Sequence, residues 1–142
     1  MLLLAVGVVL VVAWPVLGDP GGRVLGEPQS ESLSGVWVLW WAQGELSQLR
    51  LPFAAPDVGF PDGTVLHALP LLDALITLPL SWFAGPVFVY NVAQALEVGL
   101  ALLGAWVFLR DRVADAWSPI PGALAFALSP YALATRAGGN IE

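Results

Sequence analysis

Between Pro86 and Leu109 the sequence carries one charged residue, Glu97, in a run otherwise apolar enough and long enough to cross a bilayer. No other stretch limits the fold as strongly. Such a helix is stable either enclosed by protein on all sides or facing lipid, and composition decides between the two. Hydrophobic residues make up 58% of the 142-residue chain, charged residues 11%, and the mean hydropathy is +0.78. Soluble proteins carry a charged share of roughly 25%. The apolar side chains therefore exceed what one water-facing core can bury, and lipid is the natural solvent for the surplus. A soluble enzyme, a disordered tail and a disulfide scaffold are excluded together. The expected fold is all-α, a multi-span transmembrane helical protein with a long extracytoplasmic loop that carries interfacial helices.

Three spans are expected. The first is residues 1–18, where the apolar run Leu2 to Gly18 closes on Asp19-Pro20; seventeen residues cover roughly 26 Å, enough for a thin or tilted crossing. The rival, a cleaved signal peptide, needs a positive leader and a small-x-small site, whereas Met1 runs straight into Leu2-Leu3-Leu4 and Pro15-Val16-Leu17-Gly18 is a poor site. The others are residues 86–109 and 114–134, joined by a short loop at 110–113, with 135–142 as the end of the chain. Residues 66–84 are ambiguous, because Pro70, Asp73 and Pro79 interrupt an apolar segment. Arg110 and Arg112 form a juxtamembrane basic pair, which belongs on the cytoplasmic side. With Met1 inside, that holds only if 66–84 dips into the interface rather than crossing. Residues 19–85 then form one outer loop, and the chain ends outside.

Seven of the eleven acids lie in that loop, namely Asp19, Glu27, Glu31, Glu45, Asp57, Asp62 and Asp73. Turn chemistry dominates it, as in Asp19-Pro20-Gly21-Gly22 and Pro61-Asp62-Gly63. Inside it, Ser32 to Leu49 has helical spacing, with Leu33, Val36, Trp37, Trp40 and Trp41 as the stripe to be buried against a membrane surface. Asp19 emerges at the membrane surface and Glu31 precedes the tryptophan-rich helix. A carboxylate so placed can act as a general base, or bind a divalent ion with a second acid. The plainer alternative is a solvated loop in which Glu31 complements a helix N-terminus and Ser32 caps it.

Glu97 is a different case, since a carboxylate at bilayer depth must face protein or a watery cavity. Tyr90, Gln94 and Glu97 follow at steps of four and three, one polar stripe, while Ala95 and Gly99 offer a small-residue contact to a neighbouring helix. Interhelical glue and a proton relay both fit the stripe, and a relay needs a partner acid or histidine that the sequence does not visibly supply. Arg136, just beyond the last span, suits a lipid phosphate or simply the interface. Nucleic acid is an unlikely class of partner for five arginines and no lysine. There is no cysteine and one histidine, His67, so no thiolate or histidine-rich metal site is available.

In order along the chain, four stretches resemble the N-terminal part of a bacterial C-type membrane glycosyltransferase. They are Val16-Leu17-Gly18-Asp19-Pro20; Glu27-Pro28-Gln29-Ser30-Glu31 with Val36 to Trp41; Phe60-Pro61-Asp62-Gly63 with Leu78-Pro79-Leu80 and Gly85 to Asn91; and Phe126 to Tyr131 with Gly138-Gly139-Asn140-Ile141-Glu142. The resemblance implies an inner-membrane enzyme that transfers sugar from a polyprenyl-phosphate donor at the outer face. It implies Glu31 first and Asp19 second as the catalytic acid of the first outer loop, with Glu27, Arg136 and Glu142 as substrate-binding residues and a divalent metal in the family's manner. Family members are several hundred residues long, so it further implies that this chain is part of a longer enzyme and inactive alone. A non-enzymatic membrane subunit and a transporter fragment using Glu97 are the rival expectations.

Overall fold

The computed structural model describes residues 1–26, 32–56, 58–59, 61–67, 69–113, 115 and 117–137. In chain order it forms α1 (Leu2–Ala13), a 3₁₀ turn (Trp14–Val16), α2 (Ser32–Ser47), β1 (Ala54–Ala55), β2 (Thr64–Val65), α3 (Leu71–Ser81), α4 (Pro86–Arg110), α5 (Pro119–Ala127) and α6 (Pro130–Ala137). The described residues are mostly helical. One feature departs from an all-α expectation: Ala54 pairs with Val65 and Ala55 with Thr64 as a small antiparallel ribbon. Its connection contains Gly59 and Gly63, both in left-handed conformation at φ 74° and 73°, a backbone that glycine adopts without steric cost.

α1, α2, α3 and α5 all pack on α4. Gly85 enters it extended and Pro86 occupies the first helical position, where a missing N–H matters least. The next proline is beyond its C-terminus, so the helix continues for 25 residues, about 37 Å. Its first half carries α2 and α3 through a core of Val36, Leu39, Ala42, Ala74, Val89, Tyr90 and Ala93. Its second half carries α1 and α5 through Ala5, Leu102, Ala123 and Ala127. Gly99 supplies the close approach to α1: a methyl there would lie 3.4 Å from Val9 Cγ2. Gly122 does the same for α5, facing Leu109 Cδ1 at 2.7 Å from where a methyl would stand. These contacts make α1 and α5 both antiparallel to α4.

Prolines set the other lengths. Pro15 tightens the end of α1 into the 3₁₀ turn. Pro70 precedes α3, which has only eleven residues, about 16 Å, roughly half a bilayer's hydrocarbon core. Like α1 at twelve residues, it is shorter than a helix that crosses unaided. The run 114–134 is not one helix. Ser129 and Pro130 divide it into α5 and α6, because proline disfavours helical geometry at the residue before it. Ser129 Oγ then accepts a hydrogen bond from the Ala132 N–H at 3.3 Å and caps α6.

α2 turns its smaller side chains toward the neighbouring helices. Its buried face is Ser32, Val36, Leu39, Ala42 and Gln43, whereas Leu33 and Trp40 are exposed. Small side chains let α2 approach α3 and α4, and Gln43 Nε2 donates to Thr77 Oγ1 of α3 at 2.8 Å. Indole rings are too large for that seam. Trp37 and Trp41 instead stack on each other, 6.0 Å between centroids.

The turn after α1 is tied to α4 by one side chain. Asn91 accepts a hydrogen bond from Leu25 N–H at 2.8 Å and donates to the carbonyls of Pro20 and Arg23 at 2.8 and 2.7 Å. Each such bond contributes about 1 kcal/mol, and more where a buried group is left unpaired. Asn91→Ala is therefore expected to destabilise the turn by about 2–4 kcal/mol. Trypsin cleavage after the exposed Arg23 should accelerate by at least ~10-fold, followed as cleavage rate under native conditions. An unchanged rate would show that the turn holds without Asn91.

Candidate functional site

A helix that is apolar around most of its circumference places its few polar groups where protein can pair them. On α4, Tyr90, Asn91 and Gln94 are all buried, and Glu97 lies at the edge of the same seam. Gln94 Nε2 donates to Tyr90 Oη at 3.1 Å, and Tyr90 also hydrogen-bonds Ser32 of α2. Ser32 thus turns inward to the seam. The Gln94 Oε1 atom and the Trp41 indole N–H are buried without a hydrogen-bond partner among the described residues, a costly arrangement in a low-dielectric setting.

Glu97 does find a second acid. Asp73, in the first turn of α3, is buried and hydrogen-bonded to the Glu97 side chain. Burial pushes the Asp73 carboxyl above its ordinary range, while the bond from Glu97 and one from its own backbone pull the other way. Thr77, one turn along α3, donates its hydroxyl to the Asp73 carbonyl at 2.5 Å. The bond to Gln43 at 2.8 Å then fixes that turn against α2.

The pair forms part of the wall of a cavity of about 620 Å³ between α3, α4, α5 and α6. The remaining wall is largely apolar, with hydroxyls from Ser129, Tyr131 and Thr135. Leu100, Ala101 and Phe126 are shared with a second, apolar slot of about 570 Å³ that runs along α4 and α5 past Gly104 and Gly122 to Leu109. The first cavity offers groups that can exchange hydrogen bonds or a proton, and the wall of the second is almost wholly apolar.

Of the residues singled out in the sequence, Tyr90, Gln94 and Glu97 come together on this seam. Asp19 does not join them. It is exposed, and its Oδ1 accepts the Gly22 N–H at 3.0 Å, so it shapes the turn after α1. Glu27, Glu31 and Glu142 lie outside the described residues, and Arg136 falls on α6. Among the described residues no three acids or histidines converge in a manner that would hold a metal ion. Asp73 is the functional candidate that sequence reasoning passed over. Its signal was the same as that of Glu97, an acid inside an apolar segment, but Pro70 and Pro79 on either side made it look like loop chemistry.

Beyond α4, Asp115 accepts hydrogen bonds from the N–H groups of Trp117 and Ser118 at 2.8 and 2.9 Å and from the Ser118 hydroxyl. These bonds hold its carboxyl below the usual range and shape the approach to α5. Arg110 lies 5.3 Å from the Trp106 ring and Arg112 3.7 Å from the Phe108 ring, so both cations at the end of α4 rest on aromatic faces. No protein-family model, curated protein or solved structure matches the chain.

Proposed function

We propose that the chain is a multi-pass unit of a bacterial inner membrane and the N-terminal part of a C-type glycosyltransferase, moving a sugar from a polyprenyl-phosphate donor at the outer face. Membrane residence is supported by α4, the one described helix long and apolar enough to cross, of whose most apolar 18-residue window only 22% is buried. The central helix of a soluble core is buried on most sides. Here Leu96, Leu100, Val107 and Phe108 of α4 are exposed, as are Leu2, Leu3, Val6, Leu10 and Val11 of α1. A contiguous apolar exterior of that kind calls for an apolar surrounding. The antiparallel α1 and the broken α5–α6 pair are proposed to lie in the membrane beside α4.

The chain has no cysteine, so single cysteines can report sidedness. Phe83→Cys and Val113→Cys, at opposite ends of α4, are expected to react with a membrane-impermeant maleimide from opposite faces of sealed vesicles, Val113→Cys from the cytoplasmic one. Labelling of both from one face would reject the crossing.

The observation that carries the catalytic reading is the cavity walled by the acid pair beside an apolar slot, with Leu100, Ala101 and Phe126 in both walls. A lipid-linked sugar has the same two parts, a hydroxyl-rich head and a hydrocarbon tail. In the proposed reaction the acceptor hydroxyl gives its proton to a carboxylate as its oxygen bonds the anomeric carbon. The sugar–phosphate bond breaks, and polyprenyl phosphate leaves with the bonding electrons. Glu97 and Asp73 join Glu31 as candidates for that base. General-base catalysis contributes about 10²–10⁴-fold. Sugar transfer in membranes containing the full gene product should therefore fall by ~100-fold or more in Glu97→Gln, with Glu31→Gln assayed alongside. Undiminished transfer in Glu97→Gln would remove that acid from the chemistry.

A second reading, a proton-coupled transporter, is favoured by one observation. A relay through Glu97 needs a partner acid, and Asp73 is one. Its mark would be proton-linked flux that is lost in Glu97→Gln.

A further inference from the structure

We propose that the slot between α4 and α5 binds one anionic phospholipid of the cytoplasmic leaflet, with an acyl chain along the slot and the phosphate on Arg112 at its mouth. The site rests on the reading of α4 as a membrane-crossing helix and does not depend on sugar transfer. The slot, about 570 Å³, runs from Leu100 to Leu109 along α4, about 13 Å of helix axis. One leaflet contributes roughly 15 Å of hydrocarbon, so the slot reaches from the end of α4 to about the bilayer midplane, the depth of one acyl chain. A helix about 10 Å across would fill roughly 1,000 Å³ over that length, more than the slot holds, whereas a single hydrocarbon chain is narrow enough to lie in it. A donor tail at the acid pair is then left the shared wall of Leu100, Ala101 and Phe126, not the length of the slot.

Cations stand at the mouth of this slot. Arg110 ends α4 directly after Leu109. The Arg112 guanidinium lies 3.7 Å from the centroid of the Phe108 ring, and Phe108 is part of the slot wall. Its Nη1 donates to the Phe108 carbonyl at 2.5 Å, and its remaining N–H groups suit the oxygens of a phosphate. The acids nearby are engaged elsewhere. Asp111 lies 3.4 Å from Arg110. Asp115 accepts from the Trp117 and Ser118 N–H groups and from the Ser118 hydroxyl. Among the described residues, Arg112 has no carboxylate within ion-pair distance. Trp117, at the approach to α5, is 78% exposed, as suits an indole at headgroup level. Basic groups at the cytoplasmic end of packed membrane helices are a general means of holding anionic headgroups.

Chain and headgroup are both needed. An acyl chain that moves from bulk lipid into the slot exchanges one apolar surrounding for another, so preference among lipids comes from the phosphate. A free phosphate meets only exposed arginines, whose attraction salt screens, and the chain is what keeps it there. Gly104 separates the two contributions. It lines the slot, and a methyl built on it meets no neighbouring atom within 4 Å. A leucine at this position projects into the space of the acyl chain without displacing protein, and it favours the helix more than glycine does.

The full chain, delipidated in detergent, is equilibrated with equimolar phosphatidylglycerol and phosphatidylcholine of identical acyl chains, and bound lipid is read by native mass spectrometry. One phosphatidylglycerol per chain is expected, preferred by about tenfold. Arg112→Gln, an exposed change, should bring the two lipids to equal retention. Gly104→Leu should lower retention of both by about tenfold, with helical circular dichroism unchanged. Inorganic phosphate in excess should displace neither. The site is overturned by equal retention in the parent, by an unchanged preference in Arg112→Gln, or by unchanged retention in Gly104→Leu. Displacement by inorganic phosphate alone, or by an uncharged polyprenol, would equally overturn it. So would a two-chain species that Gly104→Leu dissolves, since the slot would then hold a second copy. The crossing of α4 is tested apart from this, by labelling of Phe83→Cys and Val113→Cys. A chain that crosses and shows no lipid preference therefore counts against this site alone.

Discussion

An ionisable side chain on an apolar helix has to be turned toward protein, and the architecture around α4 follows from that single constraint. Tyr90, Asn91, Gln94 and Glu97 all sit on one seam. Each element that meets the seam brings a polar answer: Ser32 from α2, the carbonyls of Pro20 and Arg23 from the turn after α1, and Asp73 from α3. A bond of this kind is worth modestly more than its counterpart in water, but a missing one leaves a buried group unsatisfied. The packing partners of the first half of α4 are thus fixed as much by hydrogen bonding as by apolar contact.

The second half of α4 follows a different rule. With no charged, amide or hydroxyl side chain between Val98 and Leu109, its neighbours are chosen by shape. Gly122 admits α5 where a methyl would crowd Leu109 Cδ1, and Gly99 faces α1, where a methyl would just reach Val9 Cγ2. The change of rule falls at Glu97, near the middle of the helix. There two broken elements, the start of α3 and the α5–α6 junction, leave space that no side chain fills.

Much of this was readable in the chain. An acid inside an apolar run announced the inward face, and steps of four and three put Tyr90, Gln94 and Glu97 on it. Helical spacing in 32–49 was readable too, but which side chains meet α3 and α4 was not: close helix contact selects small side chains, so Val36, Leu39 and Ala42 went inside. Ser129-Pro130 was visible as a punctuation mark. Hydropathy alone could not say that it divides a helix rather than ends one. Asp19 drew notice because it follows an apolar run; that its Oδ1 accepts the Gly22 N–H was not legible there.

By itself the sequence determined the surplus of apolar side chains, the length of the helix from Pro86, and the presence of a carboxyl inside it. Those are properties of local composition and spacing, and they need no partner to be expressed. Only the tertiary structure decided which group answers that carboxyl. Asp73 and Glu97 are 24 positions apart in sequence, and nothing local to either names the other. Their meeting depends on α3 folding back along α4 from the turn at Gly85, on the bond from Gln43 to Thr77 fixing its rotation, and on Pro70 setting where it begins.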